Sequence, residues 1–256
     1  MRYAREHIIT PVLAGLLSVF IFALLAEFVF PVSVAPAEEK SISIPEGKTV
    51  YEINNILQDA GILRAGESLF SSGQNLEGYL FPDTYRFFAS STASVVVGKF
   101  TQNFKEKGES LLRQDIRNWK RNLILASLVE KEVPNFADRK IVAGILLKRL
   151  SVNMPLQVDA TLCYTKLYAN SDIDSGDKRC YPIIQADKST DSPYNTYLYN
   201  GLPPGPIANP GKEAILAVLE AEETPYWFYL SDPSTGRTIF SRTLEEHNLA
   251  RRLYLN

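Results

Sequence analysis

Between Leu123 and Val129 the chain carries a single polar side chain, Ser127, so a helix over this run has no solvated face and must be buried. It runs straight into two acids, Glu130 and Glu132. Pro134 stops it: the residue before a proline avoids the helical region, which makes Val133 the expected last helical residue and places Glu130 in the final turn. Ser127 and Ala126 lie three and four residues before Glu130, on its side of the helix. There the negative end of the helix dipole and the apolar wall both disfavour a carboxylate, which suits an acid that must hold a proton near neutral pH. The plainer alternative is that Glu130 and Glu132 fray into solvent beside Lys131.

With 256 residues, 27 basic against 29 acidic side chains and 45% hydrophobic composition, the chain can bury a substantial core and hold one or two domains. No basic excess marks a nucleic-acid binder. Residues 8–30, IITPVLAGLLSVFIFALLAEFVF, are apolar apart from Glu27 for about the 20 residues that a membrane-spanning helix needs. Arg2 and Arg5 precede this run and no comparable cluster follows it, so residues 1–7 are expected in the cytoplasm and everything after about residue 31 outside the cell membrane. VSVAPA, residues 32–37, also resembles a cleavage site, which leaves a removed signal peptide open. Cys163 and Cys180 bracket a polar insert, and in an oxidising compartment a bridge between them would stabilise by roughly 3 kcal/mol. A metal pair is disfavoured, because there is no CxxC and the two histidines, His7 and His247, lie far apart in the sequence.

Residues 31–40 read as a linker. Residues 41–75 then begin with a strand at Ile42 and Ile44, a turn at Pro45–Gly47, and a T-x-x-E box from Thr49 to Glu52 that opens a helix ending at Gly61. Such a small unit cannot bury its own apolar face and must dock on something. NLEGYLFPDTYRFF follows, dense in aromatics beside Glu77, Tyr79 and Asp83; it reads either as a core-plugging loop or as a ligand wall. A helix is expected from Ser91 to about Lys107. Asn135 caps another, whose apolar stripe is Ile141, Val142, Ile145 and Leu146. In MPLQVDATLCY, apolar Leu156, Val158, Ala160 and Leu162 alternate with Gln157, Asp159, Thr161 and Cys163. If extended, this places an amide, a carboxylate and a hydroxyl on one side, as a sugar-binding row or as an ordinary half-exposed strand. SPYNTYLYNGLPPGPIANPG is a long loop made rigid by its prolines. A helix over Lys212–Glu222, a hairpin around Asp232–Gly236 and a last helix capped by Thr243 and Glu246 complete an α+β fold, with a helical core and small antiparallel hairpins.

No G-x-S-x-G elbow, H-E-x-x-H, Walker loop or dinucleotide fingerprint is present. Carboxylate chemistry in a groove of tyrosine, asparagine and glutamine remains, and it suits a polysaccharide; no cofactor is called for. Five segments in order, LEGYLFPDTY (76–85), LASLVEKE (125–132), LQVDAT (156–161), SPYNTY with GLPPGPIANPG (192–211) and TPYWFYLSD, resemble the YceG-like family of MltG-type endolytic murein transglycosylases. The resemblance covers roughly residues 42 to 250. It implies that residues 76–256 form the catalytic domain, that residues 41–75 are a short LysM-like module, and that one N-terminal span anchors the protein. Only about a dozen residues separate Ile62 from Leu76, where family members commonly carry a longer segment.

The resemblance further implies Glu130, the first acid of VEKE, as the catalytic residue, with Glu132, Glu77 and Ser127 in support. Tyr79, Asp83, Gln157, Asp159, Thr161, Tyr194, Asn195 and Tyr197 are the expected contacts to the glycan. The implied reaction is lytic: the acid protonates the bridging oxygen of a MurNAc–GlcNAc β-1,4 bond, then takes the proton of the muramoyl C6 hydroxyl as it closes on C1. The implied partners are peptidoglycan strands and a peptidoglycan synthase. A hydrolytic muramidase using Asp159 or Asp191 as second carboxylate, and a non-catalytic peptidoglycan-binding scaffold, are the alternatives.

Overall fold

The computed structural model describes residues 38–73, 75–169 and 180–255. The expected span at Ile8–Phe30 lies outside them, and among the described residues no helix is long and apolar enough to cross a membrane. Strand β1 (Glu39–Ser43) leads through a turn at Pro45–Gly47 into helix α1 (Val50–Asp59), opened by the Thr49–Glu52 capping box the sequence announces. β1 pairs antiparallel with β2 (Thr84–Phe88), Ile42 opposite Tyr85. Residues on both sides of position 75 therefore share one sheet and one core: Ile53, Leu57 and Ile62 pack with Leu80, Phe87 and Phe100. Packing does not divide there.

Helix α2 (Ala93–Asn103) stops short of the expected Lys107 and widens into a π-helical turn over Phe104–Glu109, where Gly108 lies against the ring of Phe104. The central helix α3 (Trp119–Glu132) ends one residue earlier than the proline rule suggests, with Val133 already extended. Leu123, Leu125, Ala126, Leu128 and Val129 are all buried, as an all-apolar run requires. Helix α4 (Phe136–Ser151), capped by the Asn135 side chain, turns back beside it. Helix α7 (Lys212–Leu219) packs across both and ends three residues before Glu222.

Two shorter helices come between. The alternating segment after Met154 is not a strand: α5 (Asp159–Tyr164) begins within it, and Gln157 adopts a positive φ of 53°. Bonds to a distant loop decide this, since Thr196 Oγ1 accepts the Val158 N–H and Val158 O accepts the Thr161 hydroxyl. The four apolar residues are buried all the same. α6 (Gln185–Lys188) follows the Cys163–Cys180 disulfide, whose Cα atoms stand 5.1 Å apart. Last come β3 (Phe228–Ser231) and β4 (Thr238–Ser241), joined by a turn in which Asp232 accepts from Ser234 and Thr235, and helix α8 (Leu244–Tyr254). Thr243 caps α8, while the Glu246 carboxylate accepts the N–H of Arg242.

Gly144 lies mid-helix in α4, where alanine would ordinarily gain about 1 kcal/mol. A Cβ there, however, would sit 2.0 Å from the carbonyl oxygen of Glu222. Backbone cannot yield as a side-chain tip does, so Gly144→Ala should lose a net 1–3 kcal/mol, roughly, read as a lowered midpoint in chemical denaturation.

Candidate active site

Residues two apart on a helix point to nearly opposite sides, so the two acids that close α3 cannot share a site. Glu130 turns toward the N-terminal unit and the proline-rich loop. Its side chain is 5% exposed, Oε1 accepts from Arg139 Nη2 at 2.7 Å, and Oε2 accepts the Gly211 N–H at 3.0 Å. Gly47 closes over it, with room for a Cβ only 3.3 Å from Glu130 Cγ. Arg139 is itself buried, donates to Val133 O, and reaches Glu213 at 3.8 Å. This is a sealed ion pair that clamps four segments together. The expected proton carrier does not border the cleft.

Glu132 does. It lines an open cleft of about 720 Å³ with Gln157, Asp159, Tyr197, Tyr229 and Arg149. Burial pushes its carboxyl up to about 7; Asp159 adds to the rise, while donation from Tyr229 and the Ala160 N–H, and the charge of Arg149, oppose it. The C-terminal end of α3 acts in the same direction as burial. A carboxyl raised into the neutral range can both give and take a proton there, as an acid that must later serve as base requires. Arg149 is fixed by donation to Trp227 O and Leu156 O, with its guanidinium 5.3 Å from the Phe228 ring, and burial lowers its own pKa. Tyr229 is held well above the ordinary tyrosine range by burial and by the charge and hydrogen bond of Glu132, so it stays a donor.

The remaining expected site residues separate into two groups. Gln157, Asp159 and Tyr197 meet in the cleft, with the Tyr197 hydroxyl donating to Asp159 Oδ1 at 2.5 Å. The others lie elsewhere. Thr161 is fully buried against Thr196. Asn195, also fully buried, donates to Lys188 O and Thr190 O and accepts the Tyr197 N–H, so it shapes the loop that carries Tyr197. Tyr194 packs on Tyr164 with ring centroids 4.9 Å apart, and Tyr79 packs edge-on to Phe104 at 5.2 Å. Asp83 pairs with Lys107 and Asn103 in a separate shallow depression. Ser127 accepts the Ile207 N–H and so ties the proline-rich loop to α3. Glu77 is buried and pushed up to about 8, chiefly by desolvation; it accepts from Val50 N–H and Asn209 Nδ2.

Reading the sequence alone misses Arg149, Tyr229, Lys188, His247 and Arg251, all in the cleft. Tyr229 sits in a quoted segment and could have been found there. Arg149 looks like any cation in the last turn of a helix.

Residues 23–252 match the YceG-like family. The chain belongs to that family. Among curated relatives, a protein of Bacillus subtilis (strain 168) named endolytic murein transglycosylase is 36% identical over 185 residues, covering 71% of this chain and 48% of that protein. A Streptococcus pneumoniae protein (strain ATCC BAA-255 / R6) of the same name is 31% identical over 177 residues, covering 68% of this chain and 31% of its own length. The chain thus spans half or less of the curated relatives it matches. The crystal structure of a YceG-like protein from Listeria monocytogenes superposes with a TM-score of 0.67 at 30% identity, covering 85% of this chain and 76% of that one. Its likeness establishes the α+β architecture as the family's own.

A raised carboxylate pKa means that the folded state binds the proton more tightly than the unfolded one. Stability from Glu132 is therefore full below pH about 4.5 and is lost as pH rises toward 7, by at most about 3 kcal/mol. Glu132→Gln should unfold at about the wild-type midpoint at pH 5 and at a higher one at pH 8.5. Glu130→Gln should do the opposite at every pH in that range, losing roughly 3–5 kcal/mol because it strands the buried Arg139. Denaturant titrations at the two pH values separate the acids.

Proposed function

We propose that this protein is an endolytic murein transglycosylase in which Glu132 carries the proton. The observation that carries this reading is a carboxyl pushed up to about 7 in an open cleft beside an amide, a carboxylate and two tyrosines. The names of its relatives in Bacillus subtilis and Streptococcus pneumoniae support the reaction class.

Glu132, protonated, donates to the bridging oxygen as the bond from muramoyl C1 to that oxygen breaks. The C6 hydroxyl oxygen of the same sugar then bonds to C1, and its proton passes to the Glu132 carboxylate, which restores the acid. No water is consumed, and the product ends in 1,6-anhydro-MurNAc. Tyr229, donating to Glu132, is a positioning residue that holds the carboxyl toward the cleft. Gln157 and the Asp159–Tyr197 pair face the same space and serve to grip the sugar's hydroxyl and acetamido groups. Arg149 supplies a fixed positive charge that limits how far the acid is raised.

A second reading keeps the same acid. Asp159 shares the cleft and acts electrostatically on Glu132, so a water held between two carboxylates would give a hydrolytic muramidase. The apolar run at Ile8–Phe30 supports a single-span membrane anchor with the cleft outside the cell. The β1–α1 unit supports a LysM-like module, here sharing its core with β2 and α2. Membership of the YceG-like family is what supports a peptidoglycan synthase as neighbour.

Digestion of purified sacculi followed by mass analysis of the sugar ends tests the scheme. Wild type should release anhydro ends, Glu132→Gln should be slower by about 10²–10⁴-fold, and Tyr229→Phe should lower the rate while shifting the pH profile. Reducing ends in place of anhydro ends would favour the hydrolytic reading. Undiminished cleavage by Glu132→Gln would remove this residue from the chemistry.

A further inference from the structure

The cleft carries charge that a neutral N-acetyl sugar backbone does not call for. The whole chain is slightly acidic, at net −2, yet the cleft is lined by Lys131, Arg149, Lys188 and Arg251 against only Glu132 and Asp159. Two of the four cations are already engaged by carbonyls, Arg149 with Trp227 O and Leu156 O, and Lys131 with Gly47 O at 3.3 Å. The other two are not consumed in this way. Among the described residues neither Lys188 nor Arg251 forms an ion pair with a carboxylate. Lys188 instead stands over the Tyr197 ring, 4.8 Å from its centroid, on the sugar-gripping side.

Helix α8 presents one face to this space: His247, Asn248 and Arg251 recur at the spacing of a single helical side. His247 stacks on Phe228 at 5.2 Å, and burial and the charges of Arg251 and Arg149 lower its pKa, so the permanent cation on that wall is Arg251. The result is a groove whose acid is bordered by Tyr229, Asp159 and Arg149, with Lys188 and Arg251 as two further cations on its lining.

We propose that Lys188 and Arg251 bind the carboxylates of the stem peptides that hang from the muramoyl lactyl groups, so that the cleft selects strands with free stem carboxylates over strands in which these are amidated. This rests on the peptidoglycan reading above and names its substrate class. A guanidinium fork and a flexible ammonium lining one cleft suit carboxylates whose positions vary along a strand. The groups that act on the Glu132 carboxyl are Tyr229, Asp159, Ala160 and Arg149 rather than these two cations, so they set affinity and leave the chemical step alone.

The test uses the full chain carrying Glu132→Gln, which holds strands without cutting them, and two probes: uncrosslinked glycan with intact stem peptides, and the same glycan with its stem-peptide carboxyls converted to neutral amides. Strands with free stem carboxylates should bind tighter, and raising the salt should erase the difference. Adding Arg251→Ala and Lys188→Ala should weaken the free-carboxylate probe about tenfold, near 1.4 kcal/mol, with the amidated probe unchanged, and Arg251→Lys should restore part of it. Equal affinity for both probes, or an equal loss on both, overturns the proposal. Cleavage by wild type is read in parallel: if neither probe is cut while binding still discriminates, the enzymatic reading fails and this one stands.

Discussion

The architecture turns on how α3 ends. Two acids lie two residues apart at the close of a helix whose run from Leu123 to Val129 is hydrocarbon apart from Ser127, and helical geometry sends them to opposite sides. One is neutralised by Arg139 and the Gly211 N–H inside the protein. Its partner is left facing a cleft, with no ion pair to it among the described residues. Pro134 and the extended Val133 turn the chain away directly after Glu132, which accepts the Ala160 N–H at the start of α5.

The sealed side has a mechanical purpose. Around Glu130 meet the turn after β1, the end of the proline-rich loop and the start of α4 and α7, and the neighbouring bonds repeat the theme. Gly47 N–H donates to Asn209 O, Asn209 N–H donates to Lys48 O, and the Asn209 side chain accepts the Leu80 N–H while donating to Glu77. Segments far apart in the chain are thereby fixed relative to α3, which fixes the cleft walls relative to Glu132.

Much of this was legible in the sequence. The burial of α3, its stop, the capping of α1 and α4, the last hairpin and the Cys163–Cys180 bridge follow from local rules and appear as expected. The choice between Glu130 and Glu132 did not, since both satisfy the same local criteria and only the arginine on the next helix tells them apart. Thr161, Asn195 and Tyr194 lie away from the cleft lining for a related reason. Polar residues in a motif can be kept for the loop they tie together as readily as for the ligand they face: Thr161 bonds to Thr196, Asn195 to Lys188 O and Thr190 O, and Tyr194 packs on Tyr164. The alternation around Gln157 suggested a strand, yet Thr196 turned it into a helix start.

The central claim is that Glu132 holds its proton in the neutral range at the cleft. Carboxyl-carbon NMR on protein labelled at glutamate measures this directly, with Glu132→Gln and Glu130→Gln samples to assign the signals. The account predicts a resonance titrating near pH 7 that is absent from Glu132→Gln and retained in Glu130→Gln. A Glu132 signal titrating below pH 5, like an ordinary solvated carboxylate, would contradict it.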